Sequence, residues 1–362
     1  MTDLKELTDT LVKDYLRYNG GEFFLIYDND SQKIAQSILT SMSGFDGKSI
    51  HHTNLDDYRN GKPLQELPAE LISDIKSSFK PENINTNKLL YLMPKKIDEP
   101  AFGRTLIDMV IDKDNPLGAV AGLPGCTLDV LEAGYSKENN PQFVKELYDF
   151  LQNEKEIIIT SELGTNLILN ININKYNWIA SDGIVVPKKY RNPIPAEVYT
   201  YPENVNGRFV ITGSYGHFTS LPQYKNNFGQ LVEDLKKTPM TWYIKDGKII
   251  DVLCDNEELK KAAIKEIYDT DKEHGMKIGE IGIPANLYIL KRKLTGQLLI
   301  DEKGRVHMAN GDGYADMTNC EYKSKVHSDG LAEKVTLYSP RFGKNFMEND
   351  VYNPDIFPSL RK

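Results

Sequence analysis

The sequence predicts an α/β protein of two domains. An N-terminal α/β domain with a parallel sheet precedes a C-terminal α+β domain with a mixed or antiparallel sheet. The chain has 362 residues, more than one typical domain contains. Apolar runs alternate with helical patterns over about the first 155 residues, and strand patterns dominate afterwards. We place the boundary at residue 160, so the predicted domains are residues 1–160 and 161–362.

The first half contains short apolar runs with helical patterns between them. Strands are predicted at Glu22–Tyr27 and Leu89–Met93, and again at Glu154–Ser161. Helices are predicted at Ser31–Met42 and Pro141–Asn153, where apolar residues recur at helical spacing. Parallel strands need long crossovers, usually helices, so this alternation predicts a parallel sheet flanked by helices.

The second half has strand patterns with tight turns. Thr165–Asn174 alternates polar and apolar residues, which is typical of a half-buried strand. Thr241–Cys254 reads as a hairpin that turns at Asp246–Gly247. Gln297–Ala309 reads as a second hairpin that turns at Lys303–Gly304. Hairpins and few helices favour a mixed or antiparallel sheet.

Composition excludes several classes of protein. The formal net charge is −8, which argues against nucleic acid as a main partner. No run of about 18 apolar residues occurs, so no membrane partner is expected. The three cysteines form no CxxC pair, which favours a reducing compartment over a disulfide framework. The predicted location is the cytoplasm.

The C-terminal third contains a candidate metal site. His307 and His327 are twenty residues apart, and Asp329 follows His327 at i+2. On an extended segment these last two side chains leave the same face. Imidazole with carboxylate suits zinc, manganese, cobalt or iron. For an isolated HxD motif, a solvated pair on a strand is the commoner explanation.

Three further residues stand in unusual surroundings. Glu280 interrupts the apolar stretch IGEIGIP, where a carboxylate is usually paired or coordinated. Glu197 follows a proline-marked loop in PAEVYTYP, and Tyr314 ends the glycine-rich NGDGY. For each of them alone, a structural role is the better interpretation.

Four blocks of sequence, taken together, resemble the thermophilic metallo-aminopeptidase family, the aminopeptidase T group. They are AEVYTYPENVNG (196–207), GEIGIPAN (279–286), LIDEKGRVHMANGDGY (299–314) and VHSDG (326–330), in the family's order. The resemblance implies a homodimer in which each chain holds two divalent ions, zinc, cobalt or manganese. The implied ligands are Glu197, Glu280, His307, Tyr314, His327 and Asp329. Glu302 stands where the family has an acidic residue near the metals.

A looser resemblance connects the chain with the 2,5-dihydroxypyridine 5,6-dioxygenases. It implies a single iron(II) held by His307, His327 and Asp329, the two-histidine, one-carboxylate set of non-haem iron oxygenases. Glu197 or His217 would then contact the substrate. The chain is shorter than the typical peptidases, as these dioxygenases are. The link between His307 and His327 also departs from the peptidase motif.

The sequence therefore leaves two enzymatic hypotheses and one alternative without catalysis. The first is a metal-dependent aminopeptidase that releases N-terminal residues from small peptides, with Glu197 or Glu302 as general base. The second is an iron-dependent ring-cleaving dioxygenase that acts on a small aromatic molecule. The third is a binding protein without catalysis, which is less favoured because unused buried acids cost stability.

Overall fold

The computed structural model describes residues 3–45, 50–59, 66–92, 100–111, 116–123, 127–216, 218, 221–225 and 227–361. The chain forms two compact units. Residues 1–139 and 182–195 form the first unit, and residues 140–181 and 196–362 form the second. None of the described helices is both long and apolar enough to cross a membrane.

The strands are short and most belong to the second unit. In chain order they are β1 (Phe23–Tyr27), β2 (Ile50–Asn54), β3 (Lys88–Leu92), β4 (Ala119–Leu123), β5 (Glu156–Ser161), β6 (Asn166–Asn170), β7 (Ile179–Ala180), β8 (Tyr190–Arg191), β9 (Glu197–Thr200), β10 (Asn204–Ile211), β11 (Met240–Lys245), β12 (Lys248–Leu253), β13 (Ile278–Pro284), β14 (Val306–Gly311), β15 (His327–Ala332), β16 (Val335–Ser339), β17 (Lys344–Glu348) and β18 (Val351–Tyr352).

The helices are also short. In chain order they are α1 (Leu4–Thr10), α2 (Gln32–Ser41), α3 (Asp56–Arg59), α4 (Ala69–Ser78), α5 (Pro100–Val110), α6 (Leu128–Tyr135), α7 (Pro141–Leu151), α8 (Phe228–Lys237), α9 (Glu257–Ile264), α10 (Leu287–Leu290), α11 (Leu298–Asp301) and α12 (Ala315–Thr318). Single turns of 3-10 helix occur at Asn29–Ser31, Pro81–Asn83, Glu302–Gly304 and Pro358–Leu360, and π-helical turns at Leu11–Tyr15 and Lys265–Thr270.

The first unit is built on the predicted parallel sheet. Its strand order is β2-β1-β3-β4-β8, and every neighbouring pair is parallel. All five residues of β1, β3 and β4 are buried, as in strands covered on both faces. Helix α4 adds Leu71 and Ile75 to the core on this sheet. The strands predicted at Glu22–Tyr27 and Leu89–Met93, and the helix at Ser31–Met42, are confirmed.

Strand β5 corrects part of the sequence prediction. Glu154–Ser161 does contain a strand, but β5 pairs antiparallel with β6 and β16 in the second unit. The connection from Ser161 to Asn166 is a tight turn with Gly164 at φ +108°. A parallel crossover needs a dozen or more residues, so this turn can only return the chain antiparallel. Helix α7 packs in the same core as β5, and the second unit therefore begins near residue 140.

The second unit contains two antiparallel sheets, as the alternating patterns predict. One has eight strands in the order β12-β11-β10-β6-β5-β16-β17-β18. The other has five strands in the order β15-β14-β13-β9-β7. The β11–β12 hairpin turns at Asp246–Gly247, both with positive φ, as predicted. Trp242 and Phe209 are fully buried in the core of this unit.

The hairpin predicted over Gln297–Ala309 is wrong. The segment forms α11 and the 3-10 turn Glu302–Gly304 before β14 begins at Val306. The Asp301 carboxylate accepts hydrogen bonds from the backbone N–H of Thr295 and Gly296. The Arg305 guanidinium donates to the carbonyls of Ile289, Leu290, Arg292 and Gly304. These side-chain bonds replace a strand ladder and hold a compact turn.

Candidate metal centre

One face of the five-stranded sheet carries most of the candidate ligands. We call it the ligand face, and its members are Glu197 on β9, Glu280 on β13, His307 on β14, and His327 and Asp329 on β15. Glu280 pairs with Ala309, which pairs with Asp329, and Gly282 pairs with His307. Directly paired residues share a face, so the register brings together side chains that are far apart in sequence.

The opposite face of the sheet is apolar. Ile281, Ile283 and Met308 alternate with the ligand-face residues and are buried in the core of the second unit. The alternation follows the two-residue period of a strand. Burial of this apolar face fixes the strand register, and the register fixes which side chains point to the ligand face.

His307 faces two carboxylates. Its Nε2 lies 2.7 Å from Oε2 of Glu197 and 3.4 Å from Oε1 of Glu280. Its Nδ1 donates a hydrogen bond to the carbonyl of Arg305 at 3.0 Å. That bond orients the ring so that Nε2 points at the carboxylates, as the outer partner of a metal-binding histidine does.

His327 forms a second group with Glu280 and Asp329. Its Nε2 lies 3.6 Å from Oδ2 of Asp329 and 4.0 Å from Oε2 of Glu280. Its Nδ1 donates to the carbonyl of Asp312 at 2.9 Å. Glu280 therefore stands between the two imidazoles, with one oxygen toward each. In each group of three, the ligand atoms lie within 4.8 Å of one another.

Several carboxylate oxygens at this site lack hydrogen-bond partners. Among the described residues, Oε2 of Glu197, Oε2 of Glu280 and Oδ1 of Asp329 are buried and accept no hydrogen bond. The short approach of Glu197 Oε2 to His307 is thus an ion-pair contact without hydrogen-bond geometry. Buried carboxylate oxygens left unpaired are costly, and a divalent cation would satisfy them. Oxygen and imidazole donors together fit zinc, manganese, cobalt or iron.

The ionisation of the site reflects its burial and its charges. Burial raises the pKa of Glu280 to about 7, despite the opposing effect of the two histidines. Burial lowers the pKa of His327, but Asp329 and Glu280 outweigh it and raise the value to about 10. At Asp329, burial acts to raise the pKa, but His327 and His307 outweigh it and the value falls to about 2. The carboxylates also raise the pKa of His307 against the effect of burial. Without a cation, the imidazoles therefore hold protons at neutral pH.

Metal binding is expected to weaken steeply as the pH falls. A ligating imidazole must lose its proton, and His327 has a pKa of about 10 in the metal-free site. Below pH 7, Glu280 also has to release a proton. Affinity should fall about tenfold per pH unit for each proton released. Calorimetric titration of the metal in buffers of different ionisation enthalpy at pH 6, 7 and 8 measures this, and a pH-independent affinity would contradict it.

Gly282 makes room for the His307 imidazole. A methyl group at this position would overlap Nε2 and Cε1 of His307. We expect Gly282→Ala to displace the ring, lower metal content and reduce activity by about 10²-fold or more. Gly229→Ala is the matched control, because its new methyl group in α8 has room. Full metal content in Gly282→Ala would contradict this packing.

Tyr314 is held in an uncommon backbone conformation beside the site. Its φ of 52° and ψ of 57° are left-handed, which is unfavourable for a bulky residue. Its ring centroid lies 4.6 Å from that of His327 and 5.9 Å from that of Tyr199. Burial raises the pKa of the phenol, and Glu280, Asp329 and Glu197 add to the increase. The phenol thus lies within electrostatic reach of three ligand-face carboxylates, and its role as a ligand remains a prediction.

Tyr314→Phe removes the hydroxyl and keeps the ring, so it tests the role of the hydroxyl by itself. The variant keeps the ring contacts and the backbone conformation, so the free energy of unfolding of the metal-free protein should change by less than about 0.5 kcal/mol. Activity should fall by about 10-fold to 10²-fold if the hydroxyl binds metal or substrate. Thermal unfolding and turnover, measured side by side, test this. Unchanged turnover would show that the hydroxyl is dispensable.

Glu302 and Lys303 adjoin the ligand face. Glu302 accepts a hydrogen bond from Nζ of Lys303 at 3.1 Å. Burial raises the pKa of Glu302, and Lys303 opposes this, while Asp329 and Glu197 raise it further. The sequence predicts a role for Glu302 but gives no sign of one for Lys303. The run EKGR resembles an exposed turn, and nothing in it signals a buried ammonium. His217 lies outside the described residues.

Comparison with known proteins identifies the family. The family model of thermophilic metalloproteases (M29) matches residues 136–334, which is more than half of the chain. The chain therefore belongs to the thermophilic metalloprotease (M29) family, a family of metal-dependent hydrolases. A divalent metal is accordingly implied, in agreement with the donor atoms of the ligand face. No curated protein matches this sequence.

Two solved structures share the fold over nearly the whole chain. Wild-type AmpT from Thermus thermophilus has a TM-score of 0.64 and 15% identity, covering 96% of this chain and 98% of its own. The 2,5-dihydroxypyridine dioxygenase from Pseudomonas putida KT2440 has a TM-score of 0.62 and 10% identity, covering 97% of this chain and 96% of its own. At these identities the likeness establishes the α/β fold alone.

Proposed function

We propose that this protein is an aminopeptidase that releases N-terminal residues from small peptides, using two divalent metal ions on the ligand face. The observation that carries the proposal is Glu280, which belongs to two separate groups of candidate ligands. One group adds Glu197 and His307, and the other adds His327 and Asp329. A carboxylate with one oxygen toward each imidazole is suited to bridge two cations.

Charge supports two ions over one. Glu197, Glu280 and Asp329 supply three negative charges, and the Glu302–Lys303 pair is neutral as a whole. Two divalent ions would leave one positive charge, which favours the negative charge that develops during hydrolysis. One divalent ion would leave the site with one negative charge, which would repel the negative charge that develops during hydrolysis. Zinc, cobalt and manganese are the proposed metals.

The side chains have separate tasks in this proposal. Metal ions bound here would lower the pKa of a water molecule and polarise the peptide carbonyl. Arg305 and Asp312 orient the two imidazoles through their backbone carbonyls. Glu302, whose pKa is raised by burial, would take the proton of the attacking water and return it to the leaving nitrogen. Glu197 is the other candidate for this base.

The iron-dependent dioxygenase is the second candidate. It would use His307, His327 and Asp329 around one iron(II) ion. The near-equal likeness to both solved structures keeps it open, since the fold does not separate the two activities. Among the described residues, however, those three side chains do not form a compact group of their own. Each imidazole is grouped with Glu280 instead, which favours the peptidase.

Metal analysis combined with two activity assays tests the proposal. Protein purified without added metal is analysed for bound metals, and is then assayed on leucine p-nitroanilide and on 2,5-dihydroxypyridine. Two equivalents of zinc, cobalt or manganese with release of nitroaniline are expected. One equivalent of iron with oxygen uptake would favour the dioxygenase. No metal, and no rescue by added metal, would favour a silent binding protein.

We also propose that the protein is a cytoplasmic homodimer. The dimer rests on the resemblance to the aminopeptidase T group, and the cytoplasmic location on the cysteine pattern and the metalloprotease family. Sedimentation equilibrium of the purified chain tests the dimer, and a monomer across micromolar concentrations would contradict it.

A further inference from the structure

Lys303 is a buried cation with unused hydrogen-bonding capacity. Its side chain is only 5% exposed, although lysine is rarely buried unless paired. Its single side-chain hydrogen bond to a described residue goes to Glu302. An ammonium carries three donors, so two remain for another partner. Burying an ammonium that has a single partner costs free energy. We therefore look for a function that needs this buried charge.

The surroundings of Lys303 are rigid. It lies in the single 3-10 turn Glu302–Gly304, which leads directly into the strand of His307. The Arg305 guanidinium donates to the carbonyl of Gly304 and to carbonyls of the preceding segment, which fixes the turn. A Cβ at Gly304 would meet Ile289, so the turn is closely packed. A side chain on such a support keeps its position during a reaction.

Lys303 also lies near the ligand face, because its backbone carbonyl accepts a hydrogen bond at 3.2 Å from the N–H of Asn286, two residues after the end of β13. Its positive charge helps to lower the pKa of Asp329, and it lowers that of its partner Glu302. Glu302 in turn interacts with Asp329 and Glu197. The Glu302–Lys303 pair therefore lies beside the carboxylates of the ligand face. The Lys303 ammonium is a candidate for contact with a substrate bound at that face.

We propose that Lys303 is a catalytic residue whose ammonium, held by Glu302, donates a hydrogen bond to the carbonyl oxygen of the scissile peptide bond. This inference rests on the proposed peptidase function and adds a protein donor to the carbonyl oxygen beside the proposed metal ions. Donors that are fixed before the reaction, in a site that excludes water, stabilise the negative charge on that oxygen more than they stabilise the neutral carbonyl.

The reaction balances without a further reactant. The water oxygen bonds to the carbonyl carbon, and the C=O π pair moves to the carbonyl oxygen, where Lys303 stabilises it. Collapse re-forms the C=O bond and breaks the C–N bond, with its pair going to nitrogen. That nitrogen receives the proton that the water gave up, and Lys303 keeps its own protons throughout.

Lys303→Met and Lys303→Arg are the test variants. Methionine keeps the apolar stem and removes the charge, and arginine keeps the charge. Metal content, kcat and KM on leucine p-nitroanilide are measured, together with inhibition by leucine and by its phosphonic acid analogue, a tetrahedral anion. Lys175→Met is the matched control, because Lys175 also pairs with a glutamate, Glu321, but on the surface.

Lys303→Met should lose about 10²-fold to 10³-fold in kcat with little change in KM and full metal content. Its inhibition by the phosphonic acid should weaken by a similar factor, whereas inhibition by leucine should not change. Lys303→Arg should recover part of the loss, and Lys175→Met should behave as wild type. If Lys303→Met does not fold, Lys303→Arg tests the inference alone. Because its donor is shifted, its kcat should fall and its inhibition by the phosphonic acid should weaken by a similar factor.

Three results would overturn the inference. Wild-type kcat in Lys303→Met would show that the ammonium is not used. Loss of metal from that variant, or equal weakening of leucine and phosphonate binding, would show that Lys303 serves only to balance charge. Absence of hydrolysis by the metal-loaded wild type would instead refute the proposed peptidase function, and this inference with it.

Discussion

Replacing His327 or Asp329 with alanine is expected to abolish hydrolysis, with a loss of at least about 10³-fold, while the fold survives. Both side chains belong to the same group of candidate ligands and lie 3.6 Å apart. Either change removes one of three donors and should empty that half of the site. Because the ligand face points away from the apolar core, the circular dichroism of the metal-free variants should remain close to wild type, while loss of the His327–Asp329 pair should lower their Tm without unfolding them.

Controls distinguish loss of a ligand from general damage. His51→Ala removes a partly exposed imidazole that pairs with Glu22, and Asp355→Ala removes an exposed carboxylate that pairs with Arg361. Both should keep wild-type activity and metal content. Activity retained in both His327→Ala and Asp329→Ala would remove these residues from the site and would leave neither enzymatic hypothesis standing.

Local patterns predict two features of the candidate site. The i, i+2 spacing of His327 and Asp329 fixes a shared face on any strand, and β15 is a strand. The charge of Glu280 inside an apolar run predicts a carboxylate that is paired or coordinated, and Glu280 is only 4% exposed; its role as a ligand came from the family resemblance. These inferences needed no knowledge of which strands pair.

Pairing between distant strands could not be predicted in the same way. Nothing local places Gly282 opposite His307, although this pairing leaves the space for the imidazole. The parallel arrangement expected for β5 failed because strand propensity says nothing about direction. Similarly, the local sequence at Lys303–Gly304 is typical of a hairpin turn. The hydrogen bonds of Asp301 and Arg305, which hold a 3-10 turn there instead, are not visible in the sequence. The same turn carries the buried Lys303, and nothing in the local sequence indicates that burial.

Metal is expected to stabilise the wild-type protein strongly and the Glu280→Gln variant hardly at all. A ligand at about 1,000 times its dissociation constant adds about 4 kcal/mol to the free energy of unfolding. For a unit of about 200 residues this corresponds to an increase in Tm of about 10 °C. Glu280 belongs to both candidate ligand groups, so a single amide should weaken both halves of the site. Thermal unfolding at pH 8, with metal and with chelator, measures the difference.

The same substitution should stabilise the metal-free protein. Burial holds the pKa of Glu280 at about 7, above its ordinary 4.5, so the metal-free fold loses stability as the pH rises from 4.5 to 7 and carries the full cost of the ionised group above 7. Glutamine removes that charge, and the metal-free variant at pH 8 should gain about 1–3 kcal/mol, a gain that disappears below the ordinary pKa of the glutamate. Glu203→Gln, at an exposed hydrogen bond to Asn172, should show neither effect. A lower metal-free Tm for Glu280→Gln at pH 8, or a wild-type response to metal, would mean that Glu280 acts as a structural partner of the histidines and not as a shared metal ligand.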